Sequence, residues 1–362
     1  MKIMTLRLRS FRNYDQLLLH PPEGVTVLAG ENGSGKTNLL EAVHLCCLGK
    51  SHRTNSDREM IRTGAESAAV QLTIAREDGL HDVGIRLYEA QRRKKLIYIN
   101  GKTASRIGEL FGHATAVMFS PEDLRIILDG PDGRRRYMDM LLCQRRPSYF
   151  YALQSYASAL KHRNALLKSE DLRQLPVWDE ALARAADPIV RLRRSLAGEL
   201  DPLCREHYLF IGGRENEGMS IGYEGCLKDS GDVAGDMLLG LAAHREEDIR
   251  RQTTSFGPHR DDLSILLSGM DMRSFASQGQ VRTAALSLRL SAFDLLEKTQ
   301  GEPPLLLLDD VLSELDPDRR RRLLSRISGV QTLLTCTDPS DLTGAAPACV
   351  IRVAGGVLTE QS

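Results

Sequence analysis

The sequence predicts an α/β fold split by a long, mostly helical insertion, and three observations carry that reading. A β-rich run, Val25-Thr26-Val27-Leu28-Ala29, stops at Gly30 and gives way to a glycine-rich stretch and then to a helical stretch around Asn38 to Leu48. Two alternating runs, Val70/Leu72/Ile74 and Val83/Ile85/Leu87, flank Glu77-Asp78-Gly79, the pattern of half-buried antiparallel strands joined by a turn. From Gly133 to about His207 strand alternation gives way to Leu, Ala, Arg, Glu and Gln, a composition that favours helix.

The remaining elements follow in chain order. Leu6 and Leu8 alternate with Thr5, Arg7 and Arg9 in an opening strand, and Ile97 and Ile99 run into Asn100-Gly101, which extends the antiparallel meander. Val117-Met118-Phe119 leads into Ser120-Pro121-Glu122-Asp123, where Ser caps, Pro suits the first turn and the acids favour the helix N-terminus, so a helix starts near Pro121. Within the insertion Pro147, Pro176, Pro188 and Pro202 are placed as helix starts or breaks, giving a hairpin-like arm. Ile221/Tyr223 and Leu263/Ile265/Leu267 return to strands, and Val281 to Lys298 forms a long helix after Gly279. An α/β rhythm closes the chain: a buried strand at Leu305-Leu306-Leu307-Leu308, a helix from Asp318 to Ile327, a strand at Thr332-Leu333-Leu334, and a hairpin from Val350/Val353 through Gly355-Gly356.

Composition bounds the function. The 362 residues are 42% hydrophobic and 27% charged, which excludes a disordered or collagen-like chain and fits two domains or one core with an insertion. Lys+Arg and Asp+Glu are equal at 48 each, so affinity for a polyanion has to come from local clusters. The N-terminus opens into no signal-peptide core and no stretch approaches a membrane span, which predicts a soluble, cytoplasmic protein without a membrane partner. Cys46, Cys47, Cys143, Cys204, Cys226, Cys336 and Cys349 form no C-x-x-C pair and read as small core residues.

The chemistry is concentrated in three segments. Gly30-Glu31-Asn32-Gly33-Ser34-Gly35-Lys36-Thr37 fits G-x-x-x-x-G-K-[ST] between a predicted strand and helix. Its glycines let backbone N–H groups turn toward phosphates, Lys36 supplies a point charge, and the Thr37 hydroxyl suits Mg²⁺. Asp309 and Asp310 end the apolar strand, where Asp309 completes a magnesium shell and Asp310 faces an attacking water. Thr37 and Asp309 are 272 residues apart, so the chain between them must loop out and return. Ser277-Gln278-Gly279-Gln280 opens the long helix as an anion-binding N-terminus.

The order of phosphate loop, Ser-x-Gly-Gln helix, Asp-Asp strand and Ser313-Glu314-Leu315-Asp316 resembles the ABC-type ATPases. Phe11-Arg12-Asn13-Tyr14, Phe119-Ser120-Pro121-Glu122-Asp123-Leu124, Gly257-Pro258-His259-Arg260-Asp261-Asp262-Leu263 and Ala276-Ser277-Gln278-Gly279-Gln280-Val281-Arg282-Thr283 narrow this to the RecF family, bacterial recombination mediators related to SMC proteins. The resemblance implies an ABC-type P-loop ATPase head with an antiparallel meander, built from residues 1–120 and 216–362, and a short helical arm or lid over 121–215. It implies ATP and Mg²⁺ as ligands, slow hydrolysis, and an ATP-dependent homodimer in which Ser277, Gly279 and Gln280 of one copy cap the γ-phosphate held by the other. Lys36 and Asp310 take the catalytic roles, Thr37 and Asp309 hold the metal, and Arg12 nears the nucleotide. Implied partners are single- and double-stranded DNA at their junctions, RecR- and RecO-type mediators and, indirectly, RecA.

Asp310 stands where ABC transporters carry Glu, Thr335-Cys336-Thr337-Asp338 offers no switch His, and Glu122 stands in for the Q-loop glutamine. These departures and the long insertion count against a transporter ATP-binding subunit, and the Ser277–Gln280 segment counts against a small-molecule P-loop kinase. DNA contacts are expected from Arg92-Arg93-Lys94-Lys95, Arg134-Arg135-Arg136, Arg145-Arg146 and Lys161-His162-Arg163.

Overall fold

The computed structural model describes every residue except 91–94, 170–171, 213, 215–216, 229, 339–346 and 362. Strands β1 (Lys2–Phe11), β2 (Tyr14–Leu19) and β3 (Val25–Ala29) lead into helix α1 (Lys36–Leu48), followed by β4 (Ser67–Arg76), β5 (Gly79–Tyr88), β6 (Lys95–Ile99), β7 (Lys102–Thr103) and β8 (Ala116–Phe119). Helices α2 (Leu124–Leu128), α3 (Pro131–Arg145), α4 (Pro147–Leu167) and α5 (Leu175–Ile211) precede β9 (Met219–Glu224), α6 (Val233–Ala243) and α7 (Arg245–Arg251). Strands β10 (Asp262–Leu267) and β11 (Met270–Asp271) and helices α8 (Met272–Phe275) and α9 (Gln278–Gln300) come next. The chain closes with β12 (Leu305–Asp309), α10 (Pro317–Arg326), β13 (Thr332–Cys336), β14 (Cys349–Ala354) and β15 (Val357–Gln361).

The described chain divides into two compact units, residues 1–123, 210–212 and 289–362, and residues 124–209 and 213–288. The second unit thus holds β9, β10 and β11 together with the helices of the insertion. The physical reason is packing inside the second unit: β9, β10 and β11 form a small sheet, and Arg134 on α3 is bonded bidentately to Asp262 on β10 at 2.7 Å.

The first unit contains two sheets, and α1 contacts strands of both. One is antiparallel, in the order β2-β1-β4-β5-β6-β7, the expected meander extended by β2. The Leu17-Leu18-Leu19 run hides β2 from alternation, yet Leu17 pairs with Leu8 and both are buried. The other sheet runs β15-β14-β3-β13-β12-β8, with β14, β3, β13, β12 and β8 parallel and β15 antiparallel at the edge. Leu39, Leu40, Ala42, Val43, Leu45, Cys46, Cys47 and Leu48 of α1 are all buried, as a helix must be that is apolar on nearly every side.

The second unit departs from the sequence reading in two respects. Helix α5 continues through Pro188 and Pro202. Buried Ala186, Ile189, Val190, Leu196, Leu200, Cys204 and Tyr208 supply the packing that overrides the lost backbone hydrogen bonds. Cys226 is the one exposed cysteine, in the turn after β9, while the other six are buried.

Many arginines expected on a DNA surface instead hold this unit together. The Arg163 side chain is fully buried and bonds Asp179 at 2.6 Å, Asp248 at 2.7 Å and the Thr254 hydroxyl at 2.8 Å. Arg134 also donates to the Asp129 carbonyl at 2.8 Å, and Arg145 pairs with Glu199 at 2.8 Å. Of the Arg92–Lys95 cluster, only Lys95 lies within the described residues, and it pairs with Asp57 at 2.7 Å. Asp261 and Asp262 are likewise internal: Asp261 accepts from the Tyr223 hydroxyl and the Cys226 backbone.

Asp248→Ala, which removes one of the two carboxylates on the buried Arg163 guanidinium and leaves Asp179 as the other, should therefore cost about 1.5–3 kcal/mol. Asp187→Ala, which breaks the half-exposed Arg191–Asp187 pair, should cost about 0.2–1 kcal/mol. Urea denaturation of the two variants checks the difference.

Candidate nucleotide-binding site

The site lies where the parallel strands of the first unit end. In register, Asp309 stands opposite Thr335, and Thr335 opposite Leu28, so the carboxylate and the start of the glycine-rich loop share one sheet edge despite their distance in sequence. The Thr37 hydroxyl donates to Asp309 Oδ1 at 2.8 Å and the Thr335 hydroxyl to the same oxygen at 2.9 Å. Asp309 is 9% exposed. Burial pushes its carboxyl above the usual carboxylate range, against the pull of these two hydroxyls.

The loop needs glycine at two places for steric reasons. A Cβ on Gly30 would lie 2.3 Å from the Val353 carbonyl oxygen, and one on Gly35, at φ +120°, would lie 2.6 Å from Asn13 Nδ2 and 2.9 Å from the Tyr14 hydroxyl. Lys36 folds back so that Nζ donates to the carbonyls of Gly30 at 2.5 Å and Glu31 at 2.9 Å. Ser34 Oγ is buried without a hydrogen-bond partner among the described residues. An orphaned hydroxyl in a phosphate loop, an ammonium satisfied only by carbonyls, and a hydroxyl–carboxylate pair of hard oxygens fit a nucleotide phosphate and a magnesium ion.

Arg12 and Asp310 are both non-glycine residues at positive φ, 54° and 51°, a placement that costs about 1–3 kcal/mol and is held by surrounding structure. Asp310 is held by its backbone N–H on the Thr335 hydroxyl at 2.9 Å, and its carbonyl accepts from Ser313 Oγ at 2.8 Å. Arg12 is clamped by Glu41 of α1, which accepts from Nε at 2.8 Å and Nη2 at 2.6 Å.

Some supporting contacts of the site come from the Phe11–Tyr14 motif, and others escape the sequence motifs. Asn13 Nδ2 donates to the Ser34 carbonyl at 2.9 Å and the Tyr14 hydroxyl to that of Gly35 at 3.1 Å, so the β1–β2 turn backs the loop. Glu41, fully buried, also accepts from Ser51 Oγ at 2.5 Å, and Arg53 donates to Asn38 at 2.8 Å. The only sequence signal for Glu41 is a carboxylate inside an apolar helix. Gly356 N donates to the Ser34 carbonyl at 3.0 Å, bringing the C-terminal hairpin to the loop.

Glu122 is exposed, whereas neighbouring Asp123 is buried and accepts from Arg289 at 2.5 Å. Ser277, Gly279 and Gln280 belong to the second unit. There the Ser277 backbone donates to Gln280 Oε1 at 2.7 Å, the Gln280 backbone returns to Ser277 Oγ at 3.4 Å, and Gln280 Nε2 reaches Glu217 at 3.1 Å. This reciprocal cap leaves Ser277 exposed at the start of α9.

A parallel sheet carrying the phosphate loop, with an antiparallel sheet beside α1, defines an ABC-type ATPase head of the SMC class. The family model described as RecF/RecN/SMC N terminal domain matches residues 2–351. A solved SMC head domain from Pyrococcus furiosus shares the fold, with a TM-score of 0.58 at 16% identity over 99% of this chain and 96% of that one. Within that class the chain belongs to the RecF family. It is 41% identical over 351 residues to the DNA replication and repair protein RecF of Symbiobacterium thermophilum, covering 94% of this chain and 93% of the relative. It is 38% identical over 348 residues to RecF of Clostridium perfringens, covering 95% of each. A solved structure of the recombination mediator protein RecF-ATP in the RecFOR pathway superposes with a TM-score of 0.91 at 32% identity, covering 99% of this chain and 96% of that chain. Among the described residues no helix is long and apolar enough to cross a membrane.

Two buried histidines, His44 on α1 and His52 after it, give folding a pH dependence. His44 and His52 stack edge to face at 5.1 Å. Burial, reinforced by His52 for His44 and by Arg53 and Arg12 for His52, lowers both to about 3. In the unfolded chain each ring titrates near about 6.5, so between these values the unfolded state takes up protons that the folded state refuses. Stability should fall as pH drops through that window, by up to about 1.4 kcal/mol per pH unit for each ring. Denaturation midpoints from about pH 7 to about pH 5 should decline; a flat profile would contradict two neutral buried rings.

Proposed function

We propose that the chain is an ATP-switched, DNA-binding recombination mediator that works as a dimer. The observation that carries this reading is the bond from Thr37 to Asp309 across 272 residues, formed in a chain of the RecF family. A magnesium ion would be held by Thr37 Oγ1 and Asp309 and would neutralise charge on the β- and γ-phosphate oxygens. Lys36 would exchange the Gly30 and Glu31 carbonyls for those phosphates, and the backbone from Gly30 through Gly35, including Glu31, Asn32, Gly33 and Ser34, would cradle them. Asp310 orients the attacking water. Its carboxylate is one methylene shorter than the transporter glutamate, and together with the missing switch histidine this should make hydrolysis slow, as suits a switch.

Arg12, held by Glu41, stands at the edge of the same site as a cation for the nucleotide. Ser277, Gly279 and Gln280 of a second copy would cap the γ-phosphate from the exposed start of α9, so ATP favours the dimer and hydrolysis releases it. The dimer would bind single-strand/duplex DNA junctions and act with RecR- and RecO-type mediators in loading RecA at gaps.

Lys36→Ala should weaken ATP binding by about 10- to 150-fold in calorimetry, the loss expected for a charge-assisted hydrogen bond. Analytical ultracentrifugation tests the switch in an Asp310→Asn protein, which binds ATP and turns it over slowly. It should dimerise in ATP and not in ADP, and adding Ser277→Arg should abolish the dimer while leaving ATP affinity nearly intact. A protein that stays monomeric in ATP, or a Ser277→Arg variant that dimerises normally, would refute the in-trans assignment.

A further inference from the structure

The arginines of the second unit that a sequence reading places on DNA are largely committed to carboxylates, which directs the search for a cationic surface elsewhere. The antiparallel sheet of the first unit provides one. Its inner face is buried, with Leu6, Leu8, Leu17, Val70, Leu72, Val83 and Ile85 all under a tenth exposed. Its other face is open, and register sets what stands there. Arg7 lies beside Leu18 on β2 and Gln71 on β4, and Gln71 beside Gly84 and then Tyr98. One row along, Arg9 lies beside Gln16 and Ala69, and Ala69 beside Arg86.

Arg7, Arg9, Gln16 and Arg86 are exposed, and a shallow groove runs along Arg7, Arg9, Gln16, Leu18, Ala69 and Gln71. Neither Arg7 nor Arg9 has a carboxylate partner among the described residues. Arg86 hydrogen-bonds Tyr88, on the same face. Asp82, a carboxylate on this face, is occupied by Gln71 Nε2 at 2.9 Å and Thr73 Oγ1 at 3.1 Å. Tyr98 leans over Gly84: a Cβ built there would meet its Cβ at 3.5 Å and its Cδ2 at 3.8 Å. One edge of the ring therefore stands beside Gly84.

We propose that this open face, through Arg7, Arg9 and Arg86, is a binding surface for the sugar-phosphate backbone of DNA, with Tyr98 as a stacking platform for an unpaired base. The inference rests on the DNA-binding reading above and names where on the chain that binding occurs. Residues two apart on a strand are about 6.7 Å apart and neighbouring strands about 4.8 Å apart, so the three guanidinium groups span a patch that one run of closely spaced phosphates can follow. Uncompensated arginines alternating with amides and an aromatic ring match a polyanion that also offers sugar oxygens and base faces. A folded acidic protein would satisfy the charges and leave the ring without a role.

The test is fluorescence anisotropy of the full chain in ATP with labelled oligothymidylate and, separately, a labelled duplex, over a salt series. Arg7→Gln/Arg9→Gln/Arg86→Gln should lower affinity and flatten the log K against log[salt] slope by about 0.7 per lost contact on the single strand and about 0.9 on the duplex. Melting temperature and ATP affinity should stay unchanged. Tyr98→Leu should weaken single-strand binding about tenfold, weaken duplex binding less and leave the slope alone. A triple variant that binds both probes with wild-type affinity and slope overturns the proposal while the DNA-binding reading stands. A wild-type chain that binds neither probe overturns both.

Discussion

The Asp309 carboxylate, with the Thr37 and Thr335 hydroxyls on one of its oxygens, is the contact on which the first unit depends. It is nearly buried, and burial alone would drive such a group toward its neutral form. Two hydroxyl donors keep a largely desolvated carboxylate tolerable, and both come from elements that the sheet order brings to the same edge. The constraint runs both ways: the helix that starts at Lys36 is fixed in rotation by Thr37, and β12 and β13 are fixed in register by Asp309 against Thr335.

Around that centre the protein builds support inward from charged groups. Glu41 is fully buried and occupied by Arg12 and Ser51, so an otherwise apolar helix carries an ion pair at the level of the phosphate loop. That arrangement holds Arg12 at a backbone angle an arginine seldom adopts. Asp310 is at positive φ as well, next to the buried Asp309. The two positive-φ backbones are held by hydrogen bonds that Glu41 accepts from Arg12 and that the Thr335 hydroxyl accepts from the Asp310 N–H.

Local pattern made the α/β class, the meander, the phosphate loop and the Asp309–Asp310 strand legible in the sequence, because each rests on residues within a short window. Glu41 was not legible, and neither were the contacts of Asn13 and Thr335, although both lie in segments the sequence singles out, since these contacts arise from partners that only the sheet order brings near. Arg163 shows the limit most clearly. Beside Lys161 and His162 it reads as part of a solvated basic cluster, and in the fold it is a fully buried hub among Asp179, Asp248 and Thr254. Charge clusters in helices carry no sign of which face they occupy when the helix is packed on several sides. The prolines of α5 misled for a related reason: propensity is local, and the packing that overrode it is not.

The strand order has a consequence for the making of the protein. β3 is among the first strands to be synthesised, yet both of its neighbours in the sheet, β13 and β14, come from the end of the chain. Until those strands emerge, Val27, Leu28 and Ala29 have no lateral partners and the glycine-rich loop lacks its contact with Gly356. A nascent chain thus carries an open apolar edge while the residues between β3 and β13 are made, a liability toward aggregation that chaperones exist to cover. Pairing of β13 and β14 with β3 then seals that edge, and the hairpin that carries Gly356 completes the support of the loop.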